Sequence, residues 1–202
     1  MPAADRARLL LNGAPVLEPD YAQIHAQIIY ALRGISLIGD AYETAEFPRE
    51  FGKRAFNIAV NARSLRTAVA ALAHELGMDR RTAAKVISSV TAKHDRVADV
   101  FCSDIGVDLM RIDSDITLEA VRSCQAQSIP VLPVHDSLIV PAPDADKAAE
   151  IMVMAFAARF PQTKNCEVRI KKNQFHRLET LIPHSGRNGG VVKDGSEGRL
   201  AA

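Results

Sequence analysis

The sequence predicts an α+β fold, in which a small antiparallel sheet accompanies a larger group of helices. Four or five short runs rich in apolar and β-branched residues stand among about six segments whose apolar residues recur at helical spacing. The short runs do not alternate with helices in the regular rhythm of a doubly wound parallel sheet. At 202 residues, the chain is long enough for one sizeable domain or for two small lobes that share a core.

The N-terminal region predicts a β-hairpin followed by a helix. Asn12-Gly13 separates two apolar runs, at 9–11 and 14–17, and Asn-Gly between such runs is a strong hairpin signal. The second strand is expected to finish around Asp20, which places this carboxylate at or just past the end of a strand. A helix is expected over 21–32, because its apolar residues recur three or four positions apart and Gly34 follows.

The middle of the chain predicts three consecutive helices. They are expected at about 49–63, 65–76 and 80–101, from the spacing of their apolar residues. Gly77 separates the second helix from the third, and Asp79 has the residue type and position of an N-cap. These three helices would form a lobe of their own between the strand-rich ends of the chain.

The C-terminal part predicts a return to mixed structure. A helix at about 115–127 precedes two β-rich runs around His135-Asp136-Ser137, and these runs predict a hairpin with polar residues at its tip. A helix capped by Asp144 is expected to reach about residue 160, and a strand is expected at 166–170. From residue 184 the sequence is rich in glycine and charge, which is typical of a disordered tail.

Composition favours a soluble globular protein of the cytoplasm. Hydrophobic residues make up 48% of the chain and charged residues 24%. The three cysteines are an odd number and form no CxxC pair, so we expect free thiols in a reducing compartment. No apolar stretch has the length of a membrane span, and the first residues lack the apolar core of a signal peptide, so no membrane partner is expected.

Charge is distributed unevenly along the chain. The formal net charge is only +1, yet residues 49–96 contain ten basic and four acidic residues. A basic helical lobe is what binding to a phosphate backbone requires. Basic helices are also common as ordinary solvated surface, so the pattern is compatible with nucleic-acid binding and does not establish it.

Asp20 and Asp136 are the candidate catalytic carboxylates. Each ends or interrupts an apolar strand, and pairing of these strands would bring both side chains to one edge of the sheet. Two such carboxylates can bind Mg²⁺, and two Mg²⁺ ions can stabilise the attacking and leaving oxygens of a phosphoryl transfer. The alternative is structural, because aspartate is also a favoured helix cap and turn residue.

A polar stripe on the first middle helix is the second candidate feature. Arg49, Lys53, Asn57 and Asn61 follow one another at four-residue steps and therefore share one face of the helix. Two cations followed by two amides could hold a triphosphate at one end and a nucleoside at the other. An ordinary solvated helix face is the alternative interpretation.

Three segments resemble motifs of family A DNA polymerases, and they occur in that family's order. Asp20-Tyr-Ala-Gln-Ile-His25 resembles motif A, which reads Asp-Tyr-Ser-Gln-Ile-Glu. Arg49 and Lys53 resemble motif B on the fingers helix, which is also similar to that of single-subunit RNA polymerases. Val134-His-Asp-Ser137 resembles motif C, and the resemblance extends over roughly 9–170.

The resemblance implies a division of the chain and a set of roles. Residues 1–46 and 113–182 would form the two parts of a palm, 47–112 a helical fingers lobe, and 183–202 a disordered tail. By this resemblance, two Mg²⁺ ions would be bound by Asp20, Asp136 and the backbone carbonyl of Tyr21. The incoming triphosphate would be held by Arg49 and Lys53, and Lys53 could also protonate the leaving pyrophosphate. His135 would lie near the primer end.

The chain also departs from the family pattern. His25 stands where DNA-making members have glutamate against the sugar, and Asn57 and Asn61 stand at expected apolar or aromatic positions of the fingers helix. Asp115 matches a polar turn before motif C only loosely. The segment that resembles motif A begins near residue 20, so we expect no thumb before it. The sequence is compatible with synthesis of either DNA or RNA.

Several functions agree with this pattern. The first is template-directed nucleotidyl transfer on primer–template DNA. The second is an inert palm that binds nucleic acid or a partner, or one half of a split polymerase whose thumb a separate subunit supplies. The third is a metal-dependent nuclease that uses the same carboxylates.

Overall fold

The α+β class is confirmed in a computed structural model of the chain, which describes residues 3–6, 8–163 and 166–171. The tail predicted at 183–202 lies outside the described residues. The described helices are α1 (Ala3–Arg6), α2 (Ile24–Leu32), α3 (Arg49–Asn61), α4 (Leu65–Leu76), α5 (Arg80–Lys93), α6 (Gly106–Ala126) and α7 (Ala145–Arg159). The described strands are β1 (Leu10–Leu11), β2 (Ala14–Tyr21), β3 (Leu132–Val134), β4 (Ser137–Pro141) and β5 (Val168–Lys171).

Strand β2 is the centre of a small antiparallel sheet. It pairs with β1, β4 and β5, and β3 pairs with the outer side of β4. The predicted hairpin at Asn12-Gly13 is confirmed, since both residues have the positive φ angles (51° and 77°) that a two-residue hairpin turn needs. Asp20 lies opposite Ser137 of β4 and Arg169 of β5, so both edges of β2 are paired there.

Helix α7 covers one face of the sheet and fixes the direction of the side chains of β2. Tyr21 is buried, and its hydroxyl donates a hydrogen bond of 2.6 Å to the carbonyl oxygen of Met152 on α7. Because successive side chains of a strand point to opposite faces, Asp20 points away from α7. Helices α6 and α2 pack further along this core.

Helices α3, α4 and α5 pack against one another as a helical lobe. Gly77 ends α4 in the left-handed conformation (φ 61°), as the sequence predicts. The predicted cap of α5 is confirmed, because the Asp79 carboxylate accepts hydrogen bonds from the backbone N–H groups of Arg81 and Thr82. Asp144 has the N-cap position of α7, but its side chain makes no capping hydrogen bond.

The prediction of a single helix over 80–101 is wrong. Helix α5 ends at Lys93, and a separate 3-10 helix covers Asp95–Val100. Between them, the fully buried ring of His94 makes hydrogen bonds to the Tyr30 hydroxyl (3.0 Å) and the Ala41 carbonyl oxygen (2.8 Å). These long-range contacts hold the chain in a bend that its local periodicity does not reveal.

Two predicted helix starts are also wrong. Helix α2 begins at Ile24 instead of residue 21, because Tyr21 belongs to β2 and Gln23 has a left-handed backbone (φ 57°). Helix α6 begins at Gly106 instead of Asp115, because Leu109 and Ile112 extend its apolar face into the core. The second error has a consequence for the candidate site, because the omitted first turns of α6 include residues that line it.

The loop between α2 and α3 lies directly against α3. A Cβ atom on Gly52 would lie 2.0 Å from the carbonyl oxygen of Tyr42, so only glycine permits this approach. The close packing brings Tyr42 beside the start of α3. Among the described helices, none combines the length and the apolar composition that crossing a membrane requires.

Candidate active site

A cavity of about 560 Å³ lies where the sheet, the β3–β4 turn, α2, α3 and α6 meet. Of the nine side chains or backbone groups that the sequence proposes for a site, the structure places eight in its lining and one, Asn61, outside it. The polar and aromatic residues of the lining include Asp20, Tyr21, His25, Tyr42, Arg49, Lys53, Asn57, Asp113, His135 and Asp136.

The register of β2 against β4 brings Asp20 and Asp136 to the same end of the sheet. Asp20 pairs with Ser137, which directly follows Asp136, and the Tyr21 N–H donates to the Asp136 carbonyl oxygen at 3.3 Å. Burial raises the pKa of Asp20, and the negative charge of Asp136 raises it further, although a hydrogen bond from Lys171 opposes both. The two carboxylates therefore repel each other within one cavity.

The turn that carries His135 and Asp136 is a tight one. Val134 pairs with Ser137, so only two residues connect β3 to β4. A two-residue hairpin requires positive φ, and His135 adopts φ 53° although it is not glycine. The turn holds the imidazole of His135 at the exposed rim of the cavity and keeps Asp136 half-buried inside it.

Helix α3 presents Arg49, Lys53 and Asn57 to the cavity at four-residue steps. The Arg49 Nε donates to the Asp40 carboxylate at 2.7 Å, and its guanidinium lies 5.2 Å from the ring centre of Tyr42. Lys53 forms no ion pair with any residue in the described part of the chain. Its ammonium group is therefore available to an anionic ligand.

Asn61 lies on the same stripe of α3 but does not reach the cavity. Its amide nitrogen donates to the backbone carbonyl oxygen of Asn57 at 2.7 Å. Its amide oxygen sits where a Cβ on Gly106 would approach to 1.8 Å, at the start of α6. The contacts of this side chain join two helices, and the nucleotide contact suggested by the sequence stays a prediction.

Asp113 is the cavity residue that sequence reasoning missed. It lies on α6, and its Oδ2 is 3.8 Å from Nε2 of His25. Burial raises the pKa of Asp113 to about 6, and the charge of Asp136 adds to this effect. Burial also lowers the pKa of His25, which favours its neutral form, although the charge of Asp136 opposes this shift. The helical spacing of Leu109, Ile112 and Ile116 around Asp113 is the signal that could have found it.

A compensated network lies next to this cavity, around Glu18. This buried carboxylate accepts hydrogen bonds from Arg6 (3.2 Å) and Ser137 (2.9 Å), and Lys171 Nζ lies 3.5 Å away. Burial raises the pKa of Glu18, but these donors outweigh burial and lower the pKa below its usual value. Lys171 Nζ also lies 2.9 Å from Asp20, so it joins the network to the cavity.

The residue types of the cavity fit Mg²⁺ bound together with a phosphate ligand. Mg²⁺ commonly uses one or two protein carboxylates and completes its coordination with water and substrate phosphates. Asp20 and Asp136 supply two carboxylates, and Asp136 forms no ion pair within the described ranges. No group of three or more His, Cys, Asp or Glu side chains in these ranges is arranged as a metal cage. A ligand oxygen would have to complete the coordination.

No protein-family model matches the chain, and a search of curated proteins finds no match either. The resemblance to family A polymerases therefore depends only on the three short segments of the sequence. One residue from each of them, Asp20, Lys53 and Asp136, lines the cavity.

Proposed function

We propose that this protein transfers nucleotides from nucleoside triphosphates to the 3′ end of a nucleic acid under the direction of a template, with primer–template DNA as the first substrate to test. One observation supports this function most strongly. Residues from the three segments that resemble motifs A, B and C, which are far apart in the sequence, line a single cavity. Its volume of about 560 Å³ is within the usual range for small-molecule sites.

The proposed roles are those that the resemblance implies, and the positions of the side chains in the cavity support them. Asp20, Asp136 and the backbone carbonyl of Tyr21 would hold two Mg²⁺ ions. When bound, these ions would stabilise the charge on the attacking and leaving oxygens of an in-line phosphoryl transfer. The charge of Asp136 raises the pKa of Asp20, so the two carboxylates repel each other, and relief of this repulsion by a bound cation supports the assignment.

Helix α3 would bind the triphosphate. Lys53 has no ion-pair partner among the described residues and lines the cavity, so its ammonium can contact phosphate oxygens and give a proton to the leaving pyrophosphate. Arg49 is held by Asp40 and by the face of Tyr42, which orients its remaining N–H groups. Asn57 and His25 would lie along the nucleoside, and His135 near the primer end.

The direct test is primer extension by the Asp136→Asn variant. We expect a rate at least about 100-fold below that of the wild-type protein, because the variant loses one metal-binding carboxylate. Asp115→Asn is the matched control, since Asp115 is an exposed aspartate of α6 outside the cavity lining. Wild-type rates in Asp136→Asn, with unchanged folding by circular dichroism, would contradict the proposal.

One contact favours a second candidate, a catalytically inert palm that binds nucleic acid or a thumb-bearing partner subunit. Lys171 already neutralises Asp20, which is an arrangement that needs no metal. If the module is inert, neutralising Asp20 and Asp136 by substitution should leave its affinity for single-stranded and for double-stranded DNA unchanged. Unchanged DNA affinity in the double variant, with no extension by the wild-type protein alone or after addition of a thumb-bearing subunit, would favour this candidate.

A further inference from the structure

Lys171 stands between a buried carboxylate and a cavity carboxylate on one face of the sheet. In the register of β5 against β2, Lys171 lies opposite Glu18, and Arg169 lies opposite Asp20. Side chains of directly opposite residues in an antiparallel pair share a face, so Glu18, Asp20 and Lys171 lie on the same side of the sheet. The Nζ atom of Lys171 is 2.9 Å from Asp20 Oδ1 and 3.5 Å from Glu18 Oε1.

Arg169, the other cation near Asp20 on β5, does not form an ion pair with Asp20. Arg169 is the direct cross-strand neighbour of Asp20, but its Nε donates to Glu167 at 2.7 Å. Lys171 is therefore the cation that pairs with Asp20 within the described ranges. The Lys171 side chain is 51% accessible, whereas the Asp20 side chain is 20% accessible. A short lysine movement is thus possible without disturbing the core.

Glu18 provides a second position for the ammonium group. Arg6 and Ser137 hold the Glu18 carboxylate in place independently of Asp20. Its side chain is only 9% accessible, so the orientation of this carboxylate does not depend on solvent. If a divalent cation binds Asp20, Lys171 keeps an anionic partner.

We infer that Lys171 is the internal counter-ion of the metal site: it orients Asp20 in the metal-free protein and withdraws toward Glu18 when a divalent cation binds. The inference rests on the proposed function, since it takes Asp20 as a metal ligand. Lys171 is a positioning residue that tunes the affinity of the site for Mg²⁺. It keeps the carboxylate ready for metal and weakens metal binding through repulsion between the two cations.

The size of the effect follows from the charges involved. Removal of one positive charge beside a half-buried carboxylate strengthens the attraction of that carboxylate for a divalent cation. At the effective dielectric of a partly exposed protein site, we expect the dissociation constant for Mg²⁺ to fall by about five- to tenfold. A purely structural role for Lys171 predicts the opposite, because loss of the pair would disorder Asp20.

The test is calorimetric titration of the full chain with Mg²⁺ alone. We expect Lys171→Met to bind Mg²⁺ about five- to tenfold more tightly than the wild-type protein. Lys171→Arg keeps the positive charge and should resemble the wild-type protein, as should Lys147→Met, which removes an exposed lysine of α7. Lys171→Gln gives a second measurement if Lys171→Met fails to fold.

The Asp20→Asn background separates a direct effect from a structural one. There the gain from Lys171→Met should disappear, because the carboxylate through which it acts is gone. Equal or weaker Mg²⁺ binding by Lys171→Met and Lys171→Gln, beside measurable binding by the wild-type protein, would overturn the counter-ion role and leave the proposed function standing. Binding by the charge-removed variants alone would support the role. A lack of Mg²⁺ binding in every protein would overturn the counter-ion role, and primer extension by the wild-type protein and Asp136→Asn would then decide the proposed function separately.

Discussion

Glu18 and Asp20 lie two residues apart on one face of β2, yet their electrostatic surroundings are opposite. Glu18 is the more buried of the two, but the hydrogen bonds and charges of Arg6, Ser137 and Lys171 outweigh burial and lower its pKa. Asp20 has one cation partner, and burial together with the charge of Asp136 raises its pKa. Further into the cavity, burial raises the pKa of Asp113 to about 6.

The difference separates carboxylates that stabilise the fold from carboxylates that are available to a ligand. A buried carboxylate is tolerated when enough donors compensate it, as at Glu18. Carboxylates that repel one another in a cavity destabilise the protein, and shifted pKa values of this kind cluster at functional sites. The comparison therefore predicts that loss of Glu18 harms stability, whereas loss of the cavity carboxylates harms ligand binding.

The largest expected effect on stability is at Glu18. Glu18→Gln should lower the free energy of unfolding by about 2–4 kcal/mol at pH 7, because the donors of the network lose their anionic partner. Since the pKa of Glu18 is lowered by folding, its contribution is complete above about pH 4.5 and is lost as the pH falls below that value. Urea denaturation measures both effects.

Asp136→Asn is the matched comparison for Glu18→Gln. It removes a negative charge from a cavity where that charge repels Asp20 and Asp113. We expect its free energy of unfolding to stay within about 1 kcal/mol of the wild-type value or to rise. Equal losses of stability in the two variants would contradict the division between the compensated and uncompensated carboxylates.

The next effect concerns Asp113 and pH. Its pKa is raised to about 6 from an ordinary value of 3.8, so the folded protein keeps a proton that the unfolded chain has lost between these values. The free energy of unfolding should therefore decrease as the pH rises from about 4 to 6, by roughly 2–3 kcal/mol, and stay constant above that range. Asp113→Asn should remove this decrease and be more stable than the wild-type protein at pH 7.

Urea denaturation without metal ions at pH 4.5 and 7 checks the prediction for Asp113. Asp115→Asn, an exposed change on the same helix, should keep the decrease. If Asp113→Asn and Asp115→Asn show the same pH dependence, the raised pKa of Asp113 is not the source of it.

A smaller effect is expected on α3, where two adjacent cations have different surroundings. Lys53 lines the cavity, whereas Arg54 forms an ion pair with Glu75 at 2.8 Å. Lys53→Ala should weaken triphosphate binding by about tenfold, because a charge-assisted contact to phosphate is lost. Arg54→Ala should leave this affinity unchanged and alter the stability by less than about 1 kcal/mol. Calorimetry with a nucleoside triphosphate distinguishes them, and similar losses of affinity would argue against a specific role for Lys53.

The smallest effect separates Asn57 from Asn61. Asn57 lines the cavity, and Asn57→Ala should weaken triphosphate binding by about two- to threefold. Asn61 bonds within its helix, so Asn61→Ala should cost up to about 1 kcal/mol of stability and leave binding unchanged. The same calorimetric titration and a urea denaturation measure both. If Asn61→Ala lost more affinity for the triphosphate than Asn57→Ala, Asn61 would belong to the nucleotide site.

Local sequence signals predicted much of the fold. The Asn12-Gly13 turn, the Asp79 cap and the polar tip at His135-Asp136 depend on residues close together in the chain. The spacing along α3 likewise predicted that Arg49 and Lys53 share a face, and both line the cavity. Such features can be predicted because their physical cause is local.

Long-range contacts were beyond local signals. The bend at His94 depends on hydrogen bonds to Tyr30 and Ala41, which are 64 and 53 residues away. The network of Glu18 depends on Lys171, which is 153 residues away, and no periodic pattern marks that pairing. Asp113 was missed for a different reason, because the start of α6 was placed too late, although the apolar spacing of its first turns was present in the sequence.

Triphosphate binding in the presence of Mg²⁺ is the decisive measurement for the proposed nucleotide site. We would titrate the wild-type protein with a deoxynucleoside triphosphate, with and without Mg²⁺, and compare the Asp20→Asn, Asp136→Asn double variant. We expect binding that requires Mg²⁺ in the wild-type protein and is lost in the double variant. A folded wild-type protein that binds no triphosphate, or a double variant that binds it equally well, would contradict the proposed function.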